Sequence, residues 1–386
     1  MKITRRNFLK GSALTTAFFL SGFNSPIYSY TKNKKNLVII SLRGAMDGLS
    51  AIPVIGDKNL QKKRPDIIIP EDLKLNSDFA IHPALKTFHD LWKGGKSAFV
   101  HATNIPYTGR SHFDGQNLME SGGRVPYKTK TGWLGRAMKL AKLKSEGLAL
   151  GLPMPLLLRG VEANDNYYPS GGSLPDSEFL KDLSFLYGDR KEHNLKETMD
   201  TIRKRDMGKR YSRDDKKPKQ LALSAAKIMS KPNGPRVAVF EVGGFDTHAA
   251  QGGIEGTMSD QLKNVDDIVL GMKEGLGENF ENTLILTLTE FGRKVAQNSG
   301  YGTEHGYGSA ILMAGGLLKK AQVHTDWPGL ETKFLFEKRD LNSTIDARGV
   351  YASALSAVFD LDFNEISNNV FSGEKIPNLS DRLFII

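Results

Sequence analysis

The sequence predicts an α/β protein: a three-layer α/β/α sandwich with a mostly parallel central sheet. Two observations carry this reading. Arg236–Val242, Thr283–Thr289 and Ser309–Ala314 are short apolar runs, rich in β-branched and aromatic residues and bounded by glycine or charge, as buried strands are. Between the first two lies a helical stretch, about residues 257 to 279, with Met258, Leu262, Val265, Ile268, Val269 and Met272 along one face. Strand, helix, strand with near-continuous apolar strands is how a parallel sheet covered on both faces reads.

From the N-terminus, Thr4-Arg5-Arg6-Asn7-Phe8-Leu9-Lys10 precedes an uncharged stretch, Gly11 to Tyr30, of small and apolar residues. This resembles a twin-arginine export signal, here residues 1–29 with cleavage near Ser29, and implies the twin-arginine machinery as a partner. Its core, Ser12 to Phe23, is too short to cross about 30 Å of hydrocarbon, so no stable membrane span is expected unless the signal stays uncleaved. The expected location is the periplasm or the extracellular space. That pathway carries folded proteins, often already loaded with a cofactor, which suits a metal site filled before export.

A lysine-rich linker, residues 30–36, leads into one α/β domain, residues 37–386. Its further strands are Asn36–Ser41, Ser97–His101 and Pro155–Leu158. Pro, Gly and Tyr cluster in Asn164 to Pro175, a loop placed to overhang a site, and residues at about 176–231 read as a charged helical insertion. No internal repeat or low-complexity tract appears.

The chain has 386 residues, no cysteine and a formal charge of +10. Losing Lys2, Arg5, Arg6 and Lys10 with the signal leaves about +6. The remaining excess sits in Arg203–Arg210 and Arg213–Lys219, where acids interrupt it; that is a solvated face or linker, and nucleic-acid binding is not expected. Without cysteine, any metal must be held by oxygen and imidazole nitrogen, a set that suits zinc, manganese, calcium or magnesium without choosing among them.

Chemistry gathers where the strands end. Gly243-Gly244-Phe245-Asp246-Thr247-His248 follows the first strand, Glu290-Phe291-Gly292-Arg293 the second, and Gly302-Thr303-Glu304-His305-Gly306 precedes the third. Asp246, His248, Glu290 and His305 therefore fall at the sheet edge where ligands of open α/β folds collect. Arg43-Gly44-Ala45-Met46-Asp47-Gly48 leaves the opening strand at the same edge. Asp47 reads equally as turn former or ligand, and Glu290 equally as ligand or as the partner of Arg293. Ser111 opens a helix, where a hydroxyl is either a nucleophile or phosphate site in a positive field or a plain N-cap. His82, His89, His101, His193 and His324 stand alone and read as structural. No dinucleotide glycine loop supports a redox enzyme.

Together the signal, Arg43–Gly48, Ser111-His112-Phe113, Gly243–His248, Glu290–Arg293 and His305 resemble the exported bacterial family called domain of unknown function 1501, over roughly residues 37 to 325. That family is similar in fold to the alkaline phosphatase and sulfatase superfamily. The resemblance implies an alkaline-phosphatase-like sandwich and one or two divalent metals. Asp246, His248 and His305 would form one set, and Asp47, Ser111 and Glu290 the other. Ser111 would be the nucleophile, with Arg43, Arg110 or Arg293 clamping the ester oxygens. It implies an exported hydrolase or transferase of phosphate or sulfate esters, acting on a small-molecule or glycan ester. The alternative is a non-catalytic periplasmic binding or assembly protein retaining the fold. Where the superfamily has an Asp-His pair this chain has Glu290-Phe291, and phenylalanine cannot ligate a metal.

Overall fold

A computed structural model of the chain describes residues 34–143, 146–161, 164–167 and 213–385. The export signal, most of the linker, most of the Asn164–Pro175 loop and the front of the expected insertion lie outside the described residues. The strands are β1 (Asn36–Leu42), β2 (Ser97–Asn104), β3 (Gly147–Ala149), β4 (Asp165–Asn166), β5 (Val237–Val242), β6 (Thr283–Thr289), β7 (Arg293–Gln297), β8 (Thr303–His305), β9 (Ser309–Ala314), β10 (Val323–His324) and β11 (Ile345–Asp346). The helices are α1 (Gly48–Ala51), α2 (Lys58–Lys63), α3 (Lys86–Lys93), α4 (His112–Ser121), α5 (Trp133–Leu140), α6 (Pro218–Met229), α7 (Thr257–Leu276), α8 (Ala347–Phe359), α9 (Phe363–Asn369) and α10 (Ser380–Leu383).

One sheet runs β10-β2-β9-β6-β1-β5-β3-β4, with β11 also on β2; β7 and β8 form a separate hairpin. β1 is central, parallel to β5 on one side and β6 on the other. Its seven residues are all buried, and alternation sends them to two cores. Leu37 and Ile39 meet Trp133, Leu134, Val350 and Tyr351, beneath α4, α5 and α8. Val38, Ile40 and Leu42 meet Phe88, Ala222, Met258 and Val265, beneath α3, α6 and α7. That division makes the three layers.

Two sequence expectations shift. Pro155–Leu158 is no strand: Leu156–Leu158 is a 3-10 turn, with Leu157 N–H donating to Glu120 Oε2 and the Arg159 carbonyl accepting from Gly132 N–H. A run of leucines reads alike as strand or buried turn, and these tertiary partners select the turn. α7 stops at Leu276, where Gly277 takes a φ of 54° and the chain tightens into the 3-10 segment Gly277–Asn282.

β9 is antiparallel to both β2 and β6, whereas the other pairs in the large sheet are parallel. Its first residue therefore lies at the edge where β1, β5 and β6 end, so the segment before β9 joins the segments after those three. The turn after β1 is fitted against the one after β5. Gly44 has a φ of 112°, and a Cβ there would lie 2.5 Å from Asp246 N, so only glycine fits.

Candidate metal centre

Asp246 and His248 follow β5 in a tight turn anchored by buried Phe245. His305 ends β8, opposite Arg293 on β7, and Thr303 N–H donates to the Thr247 carbonyl, tying the hairpin to that turn. The approach is close: a Cβ on Gly302 would lie 2.4 Å from the His248 carbonyl carbon. His112 is the first residue of α4, whose N-cap is Ser111. These elements bring three imidazoles and one carboxylate together. His305 Nε2 lies 2.9 Å from His112 Nε2, 3.0 Å from His248 Nε2 and 3.1 Å from Asp246 Oδ1. Asp246 Oδ1 is 3.0 Å from His248 Nε2, and Oδ2 is 3.3 Å from His112 Nε2. One ligand atom each from His112, Asp246 and His305 fits within 4.8 Å.

The other nitrogen of each ring fixes its tautomer. His305 Nδ1 is 2.9 Å from the Arg110 carbonyl, which can only accept, so Nδ1 carries the hydrogen. His112 Nδ1 lies 2.8 Å from Glu290 Oε1, and His248 Nδ1 lies 2.8 Å from Glu304 Oε2. Burial pushes the Glu290 carboxyl up, but bonds from His112, Gln116 and the Gly44 N–H outweigh it and hold it below its ordinary value. The Glu304 carboxyl is held low chiefly by Asn298, with His248 assisting. Both carboxylates thus accept from the Nδ1 that faces them, which leaves Nε2 of each ring aimed into the group. Three Nε2 atoms and a carboxylate then crowd together at about hydrogen-bond range, a set that a shared proton or a metal cation holds together.

Burial raises the Asp246 carboxyl, yet Arg293, fully buried and 2.6 Å from Oδ1, outweighs it and keeps Asp246 ionised. Burial lowers His305 and keeps it neutral, whereas the Glu290 hydrogen bond raises His112.

The structure distributes the sequence-predicted residues unevenly. Asp246, His248 and His305 meet as described. Asp47 is fully buried, caps α1 and accepts from Arg64 at 2.6 Å, Gln251 at 2.7 Å and Ser50 at 2.9 Å, so its oxygens are occupied. Glu290 faces the group only through His112. Its Oε1 also accepts from the Gly44 N–H at 2.9 Å and from Gln116 at 3.1 Å. Ser111 caps α4, its Oγ 3.5 Å from Asp114 N, one residue from His112. Arg43, expected as a clamp, binds Gln116, Glu120 and Glu241. Arg293 is committed to Asp246 and Thr303. His101 is buried with both ring nitrogens hydrogen-bonded, as is His82; His193 lies outside the described residues.

Sequence reasoning overlooked His112. Its signal was its place in Ser111-His112-Phe113, beside the residue chosen instead. Phe291, beside Glu290, forms an apolar wall behind two of the imidazoles: its ring stacks 5.0 Å from His112 and lies 5.4 Å from His305.

A family model described as "Protein of unknown function (DUF1501)" matches residues 34–361. No curated protein matches the chain. Among solved structures, the chain is similar to the C-terminal periplasmic domain of EcEptC from Escherichia coli, at 10% identity and TM-score 0.44, covering 92% of this chain and 90% of that one. It is similar to a protein in the alkaline phosphatase superfamily from Vibrio parahaemolyticus, at 10% identity and TM-score 0.42, covering 95% and 79%. It is also similar to the PsFucS1 sulfatase from Pseudoalteromonas sp., at 14% identity and TM-score 0.39, covering 92% and 73%.

Proposed function

This chain belongs to the DUF1501 protein family, and we propose that it is an exported, metal-dependent hydrolase or transferase of phosphate or sulfate esters. The observation that carries the metal is the convergence of three Nε2 atoms, on His112, His248 and His305, on the Asp246 carboxylate. Those four residues would hold one divalent cation, and three imidazoles with a carboxylate suit zinc or manganese. Bound there, the ion would polarise an ester oxygen and lower the pKa of a neighbouring hydroxyl or water.

The chain's own residues divide the remaining work. Glu290, Glu304 and the Arg110 carbonyl hold the three imidazoles in the tautomer that ligates, and Arg293 keeps Asp246 ionised and oriented. Ser111, half-buried at the N-terminus of α4, supplies the attacking hydroxyl in our reading, in a backbone field that favours developing negative charge. The ester class follows the motif resemblance; the substrate is a small-molecule or glycan ester met outside the cytoplasm. Among the described residues no helix is long and apolar enough to cross a membrane.

One observation favours the non-catalytic binding or assembly reading: Arg43, Arg110, Arg293 and Arg339 are each already paired with carboxylates. Elemental analysis of protein purified from its native compartment, followed by a panel of phosphate and sulfate mono- and diesters with added zinc, manganese, magnesium or calcium, separates the two. Metal near one equivalent and turnover lost in Ser111→Ala support the enzyme. Metal-loaded protein with no turnover above Ser111→Ala on any ester removes the catalytic reading.

A further inference from the structure

We propose that Asp340 is a positioning residue for His305, fixing both its imidazole and its main chain through two arginines; this deepens the metal reading and rests on it. Asp340 is fully buried. Its Oδ2 accepts from Arg110 Nε at 3.0 Å and from a terminal nitrogen of the same guanidinium at 2.6 Å, while Oδ1 accepts from Arg339 Nε at 2.8 Å. Each arginine then reaches His305 by a different route. The Arg110 carbonyl accepts the Nδ1–H of His305 at 2.9 Å, and the Arg339 guanidinium donates to the His305 carbonyl at 2.6 Å. One carboxylate thereby governs which nitrogen of His305 carries the hydrogen and where the residue's backbone sits.

The backbone around this carboxylate is held in uncommon conformations. Arg110 has a φ of 56°, in the left-handed region that side-chain-bearing residues seldom enter. Its side chain is held by Asp340 and by Glu337 at 2.6 Å, over the Phe336 ring at 5.7 Å. Phe336–Asp340 is itself a tight hairpin closed by Arg339 N–H to the Phe336 carbonyl at 3.1 Å, and its two turn positions, Glu337 and Lys338, have φ of 49° and 58° without a glycine. Conformations of this kind persist where the surroundings over-determine them. Here the over-determining contacts converge on Asp340, and their common product is the placement of His305. A carboxylate that merely joined two loops would have no bearing on the tautomer of a histidine it does not touch.

The test uses the full chain with 15N-labelled histidine, as wild type, Asp340→Asn, Arg339→Ala and, as a control, Glu331→Gln, whose exposed carboxylate pairs with Lys333. In metal-free protein the wild-type His305 ring should show a single tautomer with hydrogen on Nδ1. Asp340→Asn should show mixed tautomers, Arg339→Ala, which loses only the hold on the His305 carbonyl, should keep the single tautomer, and zinc titration of both should show affinity lowered roughly 10–100-fold. Glu331→Gln should match wild type in both. If Asp340→Asn fails to fold, Arg339→Ala decides the matter, since that side chain reaches solvent. Retention of the single tautomer and of zinc affinity in the folded variants overturns the proposal. A wild type that takes up no zinc sinks the metal reading instead, while the tautomer comparison still decides the role of Asp340.

Discussion

His112 and Glu290 meet across 2.8 Å, ring Nδ1 to carboxylate Oε1, joining the first turn of α4 to the end of β6. Because Glu290 is fully buried and also accepts from the Gly44 N–H, one carboxylate ties together the elements after β1, after β6 and at the head of α4. His112 Nε2 is thereby turned toward Asp246 and His305. Three predictions extend this geometry, and a fourth concerns a buried histidine elsewhere in the fold.

Glu290→Gln keeps the shape and removes the charge that makes the carboxylate an obligate acceptor for His112. Zinc affinity should drop roughly 10–100-fold, as when other carboxylates behind metal-ligating histidines are lost. Calorimetric titration of the purified protein measures it, and wild-type affinity in the variant would show that His112 needs no such support.

His112→Ala and Ser111→Ala separate ligand from hydroxyl. The first should empty most of the metal from the protein. The second should leave metal content unchanged and cost about 1 kcal/mol of stability through the lost helix cap. Elemental analysis with urea denaturation of both variants checks this; full metal retention in His112→Ala would move the site off α4.

Gly44→Ala places a methyl group 2.5 Å from Asp246 N at a φ of 112°. Neither neighbour is a flexible side chain that can swing aside, so strain and overlap should together cost about 2–4 kcal/mol. The displaced turn should also weaken metal binding through Asp246 and Glu290. Equal urea midpoints for variant and wild type would contradict the close fit.

His101 should set a pH dependence away from the candidate metal centre. Burial lowers its pKa from 6.5 to about 4, and the ring lies 3.0 Å from the Ile52 carbonyl through Nε2. The unfolded chain takes up a proton as pH falls through 6.5, whereas the folded chain resists until about 4. Its contribution is therefore fully present above pH 6.5 and is lost between there and about pH 4, worth about 3 kcal/mol. His101→Gln, which retains a donor for Ile52, should flatten the fall in stability over that window. Unfolding midpoints across pH 4–7 compare the two slopes, and parallel curves would refute the assignment.

The sequence alone determined the layers. β1, β5, β6 and β9 were visible because strands buried on both faces read as mainly apolar runs, broken in β5 only at exposed Glu241, and α7 because its Met258 to Met272 stripe repeats at helical spacing. Asp246, His248 and His305 could be singled out because polar residues at the ends of apolar strands stand out locally. The rest depended on partners far apart in the chain. Asp47 reads as a possible ligand until Arg64 and Gln251 are seen filling its oxygens. Glu290 reads the same way until His112 is found on it, 178 residues earlier. His112 itself carries no local mark of the group it joins; its place there appears only when β9 runs antiparallel and brings His305 to the same edge. Composition and periodicity report what each segment buries, whereas the direction in which a histidine lone pair points is set by which acceptor stands behind the ring, and that acceptor is supplied by the tertiary fold.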